Sequence, residues 1–313
     1  MAGRPLIIDC DPGQDDAIAL LLAFASPEAF DLLGVCALAG NVPVELTAMN
    51  ARRVRELAGR LDVPIYAGCP RPILHPLRTA EHVHGKSGID GAELPEPTMP
   101  LEQTHALDFI TETLRTAKEK VTIATLGPLT DIAVALVKEP RILENIREIV
   151  MMGGTIGTGN VTPSVEFNIH TDPHAAHIVF TSGAKLTMIG LDVTHQAVAT
   201  PERLAAIRAL QGRPAAAVAG MIEFYGEKRV KAFNLAGAPL HDPCVIAYLL
   251  KPSLFEGRDM FVEVELASPA TRGRTVCDPW NVTGRTPNVQ VIESIDVDGF
   301  FALLVERLAR LPA

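Results

Sequence analysis

Cysteine pairs, aromatic side chains, positive charge and long apolar runs are all scarce in this sequence. Its five cysteines, Cys10, Cys36, Cys69, Cys244 and Cys277, are odd in number and form no CxxC. That excludes a disulfide framework and a thiolate zinc site, and it suits a reducing compartment. Lysine and arginine total 28 against 37 acidic residues, a formal net charge of −9. A chain this acidic lacks the basic surface that phosphate backbones demand, so nucleic acid is excluded as a partner. No apolar run reaches the roughly 18 residues of a membrane span, which excludes a membrane helix. Only MAGR precedes the first apolar segment, which leaves no room for a signal peptide. The expectation is a cytoplasmic protein that acts on a small molecule.

What is present is alternation. Short β-type runs (PLIIDC, FDLLGVCALAG, VPIYAG, KVTIATLG, REIVMMGG and KLTMIGLD) are separated by segments with apolar residues at helical spacing. Among the latter are DDAIALLLAFAS, VELTAMNARRVRELAGRL, PLTDIAVALVKEP and PHAAHIVFTSG. The pattern predicts an α/β fold, a single domain over 1–313 with a mostly parallel central sheet and helices on both faces, Rossmann-like in plan. Two irregular stretches, 68–105 and 223–240, are the expected mobile active-site loops. Ligands in such sheets lie beyond the carboxyl ends of the strands. The unusual polar residues follow the strands accordingly: DCDPGQDD the first, Asn41 the second, LGPLTD and MMGG the later ones.

DCDPGQDD places Asp9, Asp11, Asp15 and Asp16 in one short stretch. Like charges so close repel unless a cation sits among them. Asp15 and Asp16 alone suit an ordinary helix N-terminus, but Asp11 at the end of a buried strand adds charge to the same corner. In an extended strand Asp9 and Asp11 point to the same side. Carboxylates with no histidine in the motif favour a hard cation, and an all-protein cage of bidentate carboxylates leans to Ca²⁺. A haloacid-dehalogenase-type phosphatase also sets DxD after an apolar strand, its first Asp the nucleophile. Pro12, Gly13 and the second acid pair depart from that pattern.

Downstream, GAPLHDPC sets His241 and Asp242 before Pro243. Asp before Pro is a routine helix start, seen again at Asp172 and Pro173. The neighbouring histidine, however, suits proton transfer near neutral pH. Glu166 and Asn168 flank Phe167; in an extended segment they face the same way, a carboxylate and an amide fit for hydroxyl groups. The glycines of MMGGTIGTG do not form GxGxxG ahead of a helix, so a dinucleotide site is not supported. HVHGKSG places His82 and His84 in the proline-rich loop. His170, His174, His177 and His195 read as structural or exposed, and Met151 and Met152 as strand core. Arg52, Arg53 and Arg55 read as a solvated helix face.

Taken in order, DCDPGQDD, LAGN, HVHGKSG, LGPLTDIA, VMMGG, VEFNI and APLHDPC resemble the inosine–uridine-preferring nucleoside hydrolase family, from about Pro5 to the final helix GFFALLVERLARL. The resemblance implies the nucleoside hydrolase fold and a Ca²⁺-dependent enzyme that splits the N-glycosidic bond of ribonucleosides to ribose and free base. It implies Asp11, Asp16, Asp242 and the backbone carbonyl of Leu126 as metal ligands, with Asp11 also accepting a proton from the metal-bound water. Asp15 and Asn168 would bind ribose hydroxyls, Glu166 and Asn160 the 5′ end, while Asn41 and Met152 would line the ribose and water site. His241 would act at the departing base, with His84 on the mobile loop, and Asp9 would support the motif without touching metal.

Purine-specific relatives stack the base between tryptophans, and the one tryptophan here, Trp280, lies outside the expected loops. Strict purine preference is therefore not expected. AGAPLHDPC and RTVCD resemble the pyrimidine-preferring bacterial members, which points to uridine and cytidine and leaves inosine open. Tyr225, Arg229 and Asn234 are the candidates for base contact. A homotetramer or homodimer is also implied. The rival from another class is a protein that binds a sugar or nucleoside without chemistry; a complete set of metal acids together with His241 argues against it.

Overall fold

The computed structural model describes residues 3–233 and 236–312, the side chains of 228–233 excepted. Strands β1 (Arg4–Cys10), β2 (Phe30–Ala37), β3 (Ile65–Ala67), β4 (Val121–Thr125), β5 (Ile146–Met152) and β6 (Leu186–Ile189) coincide with the six apolar runs. The short pair β7 (Val198–Ala199) and β8 (Ala238–Pro239) follows, then β9 (Phe255–Val264), β10 (Thr275–Asp278) and β11 (Val289–Ile295). Helices α1 (Gln14–Phe24), α2 (Val44–Leu57), α3 (Glu81–His84), α4 (Ala106–Thr116), α5 (Thr130–Lys138) and α6 (Phe167–Thr171) fill the first connections. The rest carry α7 (Pro173–Phe180), α8 (Leu191–Thr194), α9 (Pro201–Arg208), α10 (Arg213–Phe233), α11 (Pro243–Leu250) and α12 (Val297–Leu308).

One nine-stranded sheet runs in the order β10-β9-β11-β6-β5-β4-β1-β2-β3. All neighbours from β11 to β3 are parallel, and β9 and β10 add an antiparallel edge. The central strands are buried on both faces, which is why they read as continuous apolar runs rather than alternating ones. Ile7 and Ile8, adjacent in β1, enter different cores. Ile8 packs with Leu20 and Leu21 of α1, Val245 of α11 and Phe300 of α12. Ile7 joins Ile110 of α4, Ile132 of α5 and Val179 of α7 on the other face. Helix α1 is buried along its whole length, as a helix apolar all round must be. Its first turn therefore carries Asp15 and Asp16 into the interior. Among the described residues, no helix is long and apolar enough to cross a membrane.

Chain order decides where a ligand can sit. From β1 the chain winds outward through β2 and β3, then returns to place β4 on the other side of β1. The loops beyond β1 and β4 thus diverge, and that divergence opens a crevice at the carboxyl ends of the strands.

Two expectations need correction. The stretch 223–240 is not a loop throughout, since α10 runs to Phe233. EFYGEKRVKAF holds one glycine and no proline, and Val218, Met221, Ile222 and Tyr225 keep a buried stripe at helical spacing. Nor are the arginines of α2 simply solvated. Arg55 is only 2% exposed and donates to the Val63 carbonyl at 3.2 Å. Arg52 donates to Met99 O at 2.9 Å, and Arg53 pairs with Glu96, so these side chains fasten residues 96–99 to the helix.

Candidate active site

A cavity of about 270 Å³ opens at the divergence of β1 and β4. Of the residues singled out from the sequence, Asp11, Asp15, Asn41, His84, Leu126 and Met152 line it, together with Asn160, Glu166, Asn168, His241 and Asp242. Asp16 lies beneath its floor, fully buried. Its carboxylate accepts from the backbone N–H groups of Asp11 at 3.1 Å and Gly13 at 3.0 Å, and from Asn41 Nδ2 at 3.2 Å. One carboxylate oxygen from each of Asp15, Asp16 and Asp242 falls within 4.8 Å of the others.

Asp11 stands beside this group with its two oxygens used differently. Oδ2 accepts from the Asn41 backbone N–H at 2.7 Å, whereas Oδ1 is buried with no hydrogen-bond partner. Two glycines make the space: a Cβ at Gly40 would meet Asp11 Oδ2 at 2.0 Å, and one at Gly127 would meet Oδ1 at 2.5 Å. An unpaired buried carboxylate oxygen is costly, and it is what a cation would satisfy. The oxygen-only donor set fits a hard divalent ion.

Asp242 resolves the ambiguity of its Asp-Pro context. It occupies the N-cap position of α11 with Pro243 after it, yet its side chain makes no cap hydrogen bond. Asp172, in the same sequence context, does cap, accepting from Ala175 N at 3.0 Å. The Asp242 carboxyl instead meets that of Asp16. Asp9 and Asp11 do not share a side as an extended strand would place them. Strand β1 ends at Cys10, so the period-two alternation stops before Asp11, and the Asp9 carboxyl meets Asp131 of α5 rather than the cavity acids.

Burial, and then the neighbouring acids, hold Asp11 and Asp242 well above the ordinary carboxylate range, and Asp9 likewise through burial and Asp131. The metal-free native state therefore keeps protons that the unfolded chain gives up near pH 4. Because the folded form then binds more protons than the unfolded one, stability falls as pH climbs from that range towards the raised folded values. A cation among the acids removes the effect. The melting temperature of metal-stripped protein is expected to fall as the pH climbs above about 4, and the rise on adding a divalent cation to grow in the same direction. A cation-induced rise that shrinks with pH would contradict this.

The Glu166 to Asn168 stretch is not extended. It opens α6, where Glu166 is the N-cap, and its carboxylate accepts from the N–H groups of Asn168 (2.8 Å), Ile169 (3.2 Å) and Gly154 (3.0 Å). Glutamate is not a favoured cap, so nothing local in the sequence announces the turn. Burial raises the Glu166 carboxyl, and these donors oppose it. Asn168 Nδ2 donates to Leu126 O at 2.6 Å and to Met152 O at 3.1 Å, tying the ends of β4 and β5 together. Asn160 Oδ1 accepts from Phe167 N at 3.0 Å.

The same cavity holds a cluster of rings. His84 and Tyr225 are 5.7 Å apart between centroids, Tyr225 and His241 6.4 Å, and His195 and His241 5.5 Å. His241 Nδ1 shares a 2.7 Å hydrogen bond with Thr194 Oγ1 of α8. Gln14 grips the loop that carries His84. Its Nε2 donates to the carbonyls of His84 (2.9 Å) and Asp90 (3.0 Å), and its Oε1 lies 2.6 Å from His84 Nδ1. Asn50 adds bonds to Pro12 O at 3.1 Å and Ser87 O at 2.7 Å.

Sequence reasoning passed over Gln14 and Thr194, whose partners lie far away in the chain. It also gave no cavity role to Arg78 or His170, which line the mouth with the exposed His82. Of the candidates for base contact, Tyr225 lines the cavity; Asn234 and the Arg229 side chain lie outside the described residues. Trp280 is 82% exposed and not part of the cavity.

The family model for inosine-uridine preferring nucleoside hydrolases matches residues 6–302. A pyrimidine-specific ribonucleoside hydrolase RihA from Shewanella sp. strain MR-7 is 45% identical over 307 residues, 98% of this chain and 96% of its own. A protein of the same name from Escherichia coli O7:K1 is 44% identical over 305 residues, 97% of this chain and 98% of its own. Among solved structures, a purine-preferring ribonucleoside hydrolase from Gardnerella vaginalis superposes with a TM-score of 0.90 at 34% identity, over 98% of each chain. A match that spans both cores and every strand end around the cavity leaves one conclusion: the chain belongs to the inosine-uridine preferring nucleoside hydrolase family and is an N-ribosyl hydrolase.

Proposed function

We propose that this protein is a cytoplasmic, calcium-dependent, homo-oligomeric hydrolase that cleaves ribonucleosides to ribose and free base, favouring uridine and cytidine. The observation that carries the reading is the pairing of an acidic floor, with its unpartnered Asp11 Oδ1, and His241 across one cavity. Asp11, Asp16, Asp242 and the Leu126 carbonyl would hold the ion, with Asp15 alongside. When bound, such an ion supplies positive charge that acidifies water and grips vicinal hydroxyls.

The chain's own residues supply the rest. Asp11 accepts the proton of the attacking water. Asp15 and Asn168 hold the ribose hydroxyls, Asn160 and Glu166 face the 5′ end, and Asn41 and Met152 shape the space between. As the glycosidic bond lengthens, ribose takes on oxocarbenium-like positive charge, and the buried carboxylates stabilise it where it forms. With Nδ1 held by Thr194, His241 passes its proton to the departing base through Nε2, and His84 and Tyr225 pack at the base.

Support for pyrimidines comes from the names of the relatives at 44–45% identity, set against the purine-preferring structure at 34%. The absence of tryptophan from the cavity lining agrees with it. The deciding experiment is ribose release from uridine, cytidine, inosine and guanosine, before and after metal stripping and with calcium restored. Uridine and cytidine turnover that vanishes on stripping and returns with calcium is the expected result. Calcium binding with no ribose released from any nucleoside would instead indicate a binding protein.

Thr194 is a positioning residue for that proton. Thr194→Val keeps the shape and removes one hydrogen bond, which is worth about 1 kcal/mol net. A fall in kcat of about fivefold, with KM steady and the alkaline limb of the pH profile displaced, is the expected outcome. An unchanged pH profile would assign Thr194 to packing alone.

A further inference from the structure

The mouth of the cavity has the opposite character from its floor. A second, smaller cavity of about 40 Å³ adjoins it, lined by His75, Pro76, Arg78, His170, Thr171 and Arg272, and it shares Arg78 and His170 with the first. Its volume suits roughly three groups of water size, the number of terminal oxygens on a phosphoryl group. We propose that this cavity is a subsite for a phosphate group, placed to hold the phosphate of a nucleoside 5′-monophosphate, or free phosphate, next to ribose. The inference rests on the reading of the larger cavity as a ribose site.

Neither Arg78 nor Arg272 makes a carboxylate ion pair among the described residues. The nearby acid, Asp172, takes its hydrogen bonds from other groups, although its charge still reaches His75. Its oxygens accept from Ile73 N and Thr130 Oγ1, each at 2.8 Å, and from Ala175 N at 3.0 Å. Three ring nitrogens in the cluster, His75 Nε2, His170 Nδ1 and His174 Nδ1, are buried without a hydrogen-bond partner. His75 and His174 lie 5.2 Å apart between centroids.

The titration of the cluster reports the same field. Burial first, and then Arg272 or Arg78, hold both His75 and His170 below the ordinary histidine value. In a chain of net charge −9, two guanidinium groups without a carboxylate ion pair and two histidines around one cavity are a local exception. Guanidinium forks match phosphate oxygens in geometry and charge. A nucleic acid is a poor fit, because the cationic patch ends at the rim of a cavity sized for one phosphate.

The test is inhibition of calcium-loaded enzyme turning over uridine, with uridine 5′-monophosphate and inorganic phosphate as separate probes, in the unaltered protein and in Arg272→Gln. Arg272 touches only the smaller cavity, so uridine kcat and KM are expected to hold. Inhibition by the nucleotide is expected to be competitive and to weaken at least tenfold in the variant. His75→Gln provides an independent removal should Arg272→Gln misfold. Nucleotide inhibition stronger than that of phosphate, and dependent on Arg272, assigns the subsite to nucleotides. Equal, Arg272-dependent inhibition by both assigns it to free phosphate. No inhibition by either probe, or inhibition indifferent to both substitutions, overturns the proposal. Should uridine itself go uncleaved, the catalytic reading fails, while calorimetric binding of the two probes still reads the subsite.

Discussion

Asp11→Ala is expected to lower kcat/KM for uridine by on the order of 10³-fold or more and to weaken calcium binding in the same variant. On the proposed reading two functions meet on one carboxylate. Its Oδ2 is fixed by the Asn41 N–H at 2.7 Å, and its buried Oδ1 has no hydrogen-bond partner among the described residues. Removing the side chain deletes a ligand and the proton acceptor together and leaves Asp16 and Asp242 to share a smaller charge. Asp11→Asn separates the two contributions, because the amide keeps a ligand oxygen and loses the base. Its calcium affinity is expected to exceed that of the alanine variant while turnover stays low. Turnover within tenfold of the unaltered enzyme in either variant would remove Asp11 from the proposed chemistry.

His241→Ala is expected to lower kcat by on the order of 10²-fold while leaving calcium affinity unchanged. The residue neighbours Asp242, a proposed metal ligand, in sequence, yet its bonded partner is Thr194, on another element. A leaving group that departs as a stable anion needs no proton. The deficit of the variant is therefore expected to shrink for 4-nitrophenyl riboside relative to uridine. An equal deficit for both substrates would assign His241 a part in holding ribose rather than in protonating the base. Loss of calcium along with turnover would show that the acid floor and the ring cluster are not separable.

The parallel half of the sheet is legible in the sequence because its strands are buried on both faces and leave unbroken apolar runs. Strand β9 is harder to see, since FEGRDMFVEV carries charged residues on an exposed face. The acids of DCDPGQDD stand out because four like charges in one turn have no cheap structural explanation. Asp9 shows the limit of that reasoning, as β1 ends at Cys10 and its Asp9 carboxyl meets Asp131 rather than the cavity acids. Gln14 sits inside the same motif and still escapes notice. A glutamine at the head of a helix is unremarkable until the His84 loop, 70 residues away, folds back onto it. Glu166 lines the cavity from the head of a helix rather than from an extended segment, a turn the sequence hides because a glutamate cap lacks the Ser, Thr, Asp or Asn that advertises a helix start.

The order of the strands has a consequence for how such an enzyme can change. Asp11, Asn41, Leu126 and Met152 stand at the ends of four neighbouring strands whose spacing the sheet fixes. Tyr225 and His84 stand instead on α10 and in the 80–91 segment, outside those strands. With the base lying against them as proposed, substitutions there are expected to retune which base is accepted while the strand-end residues stay in place. In that arrangement one active site could pass between pyrimidine and purine diets through its periphery.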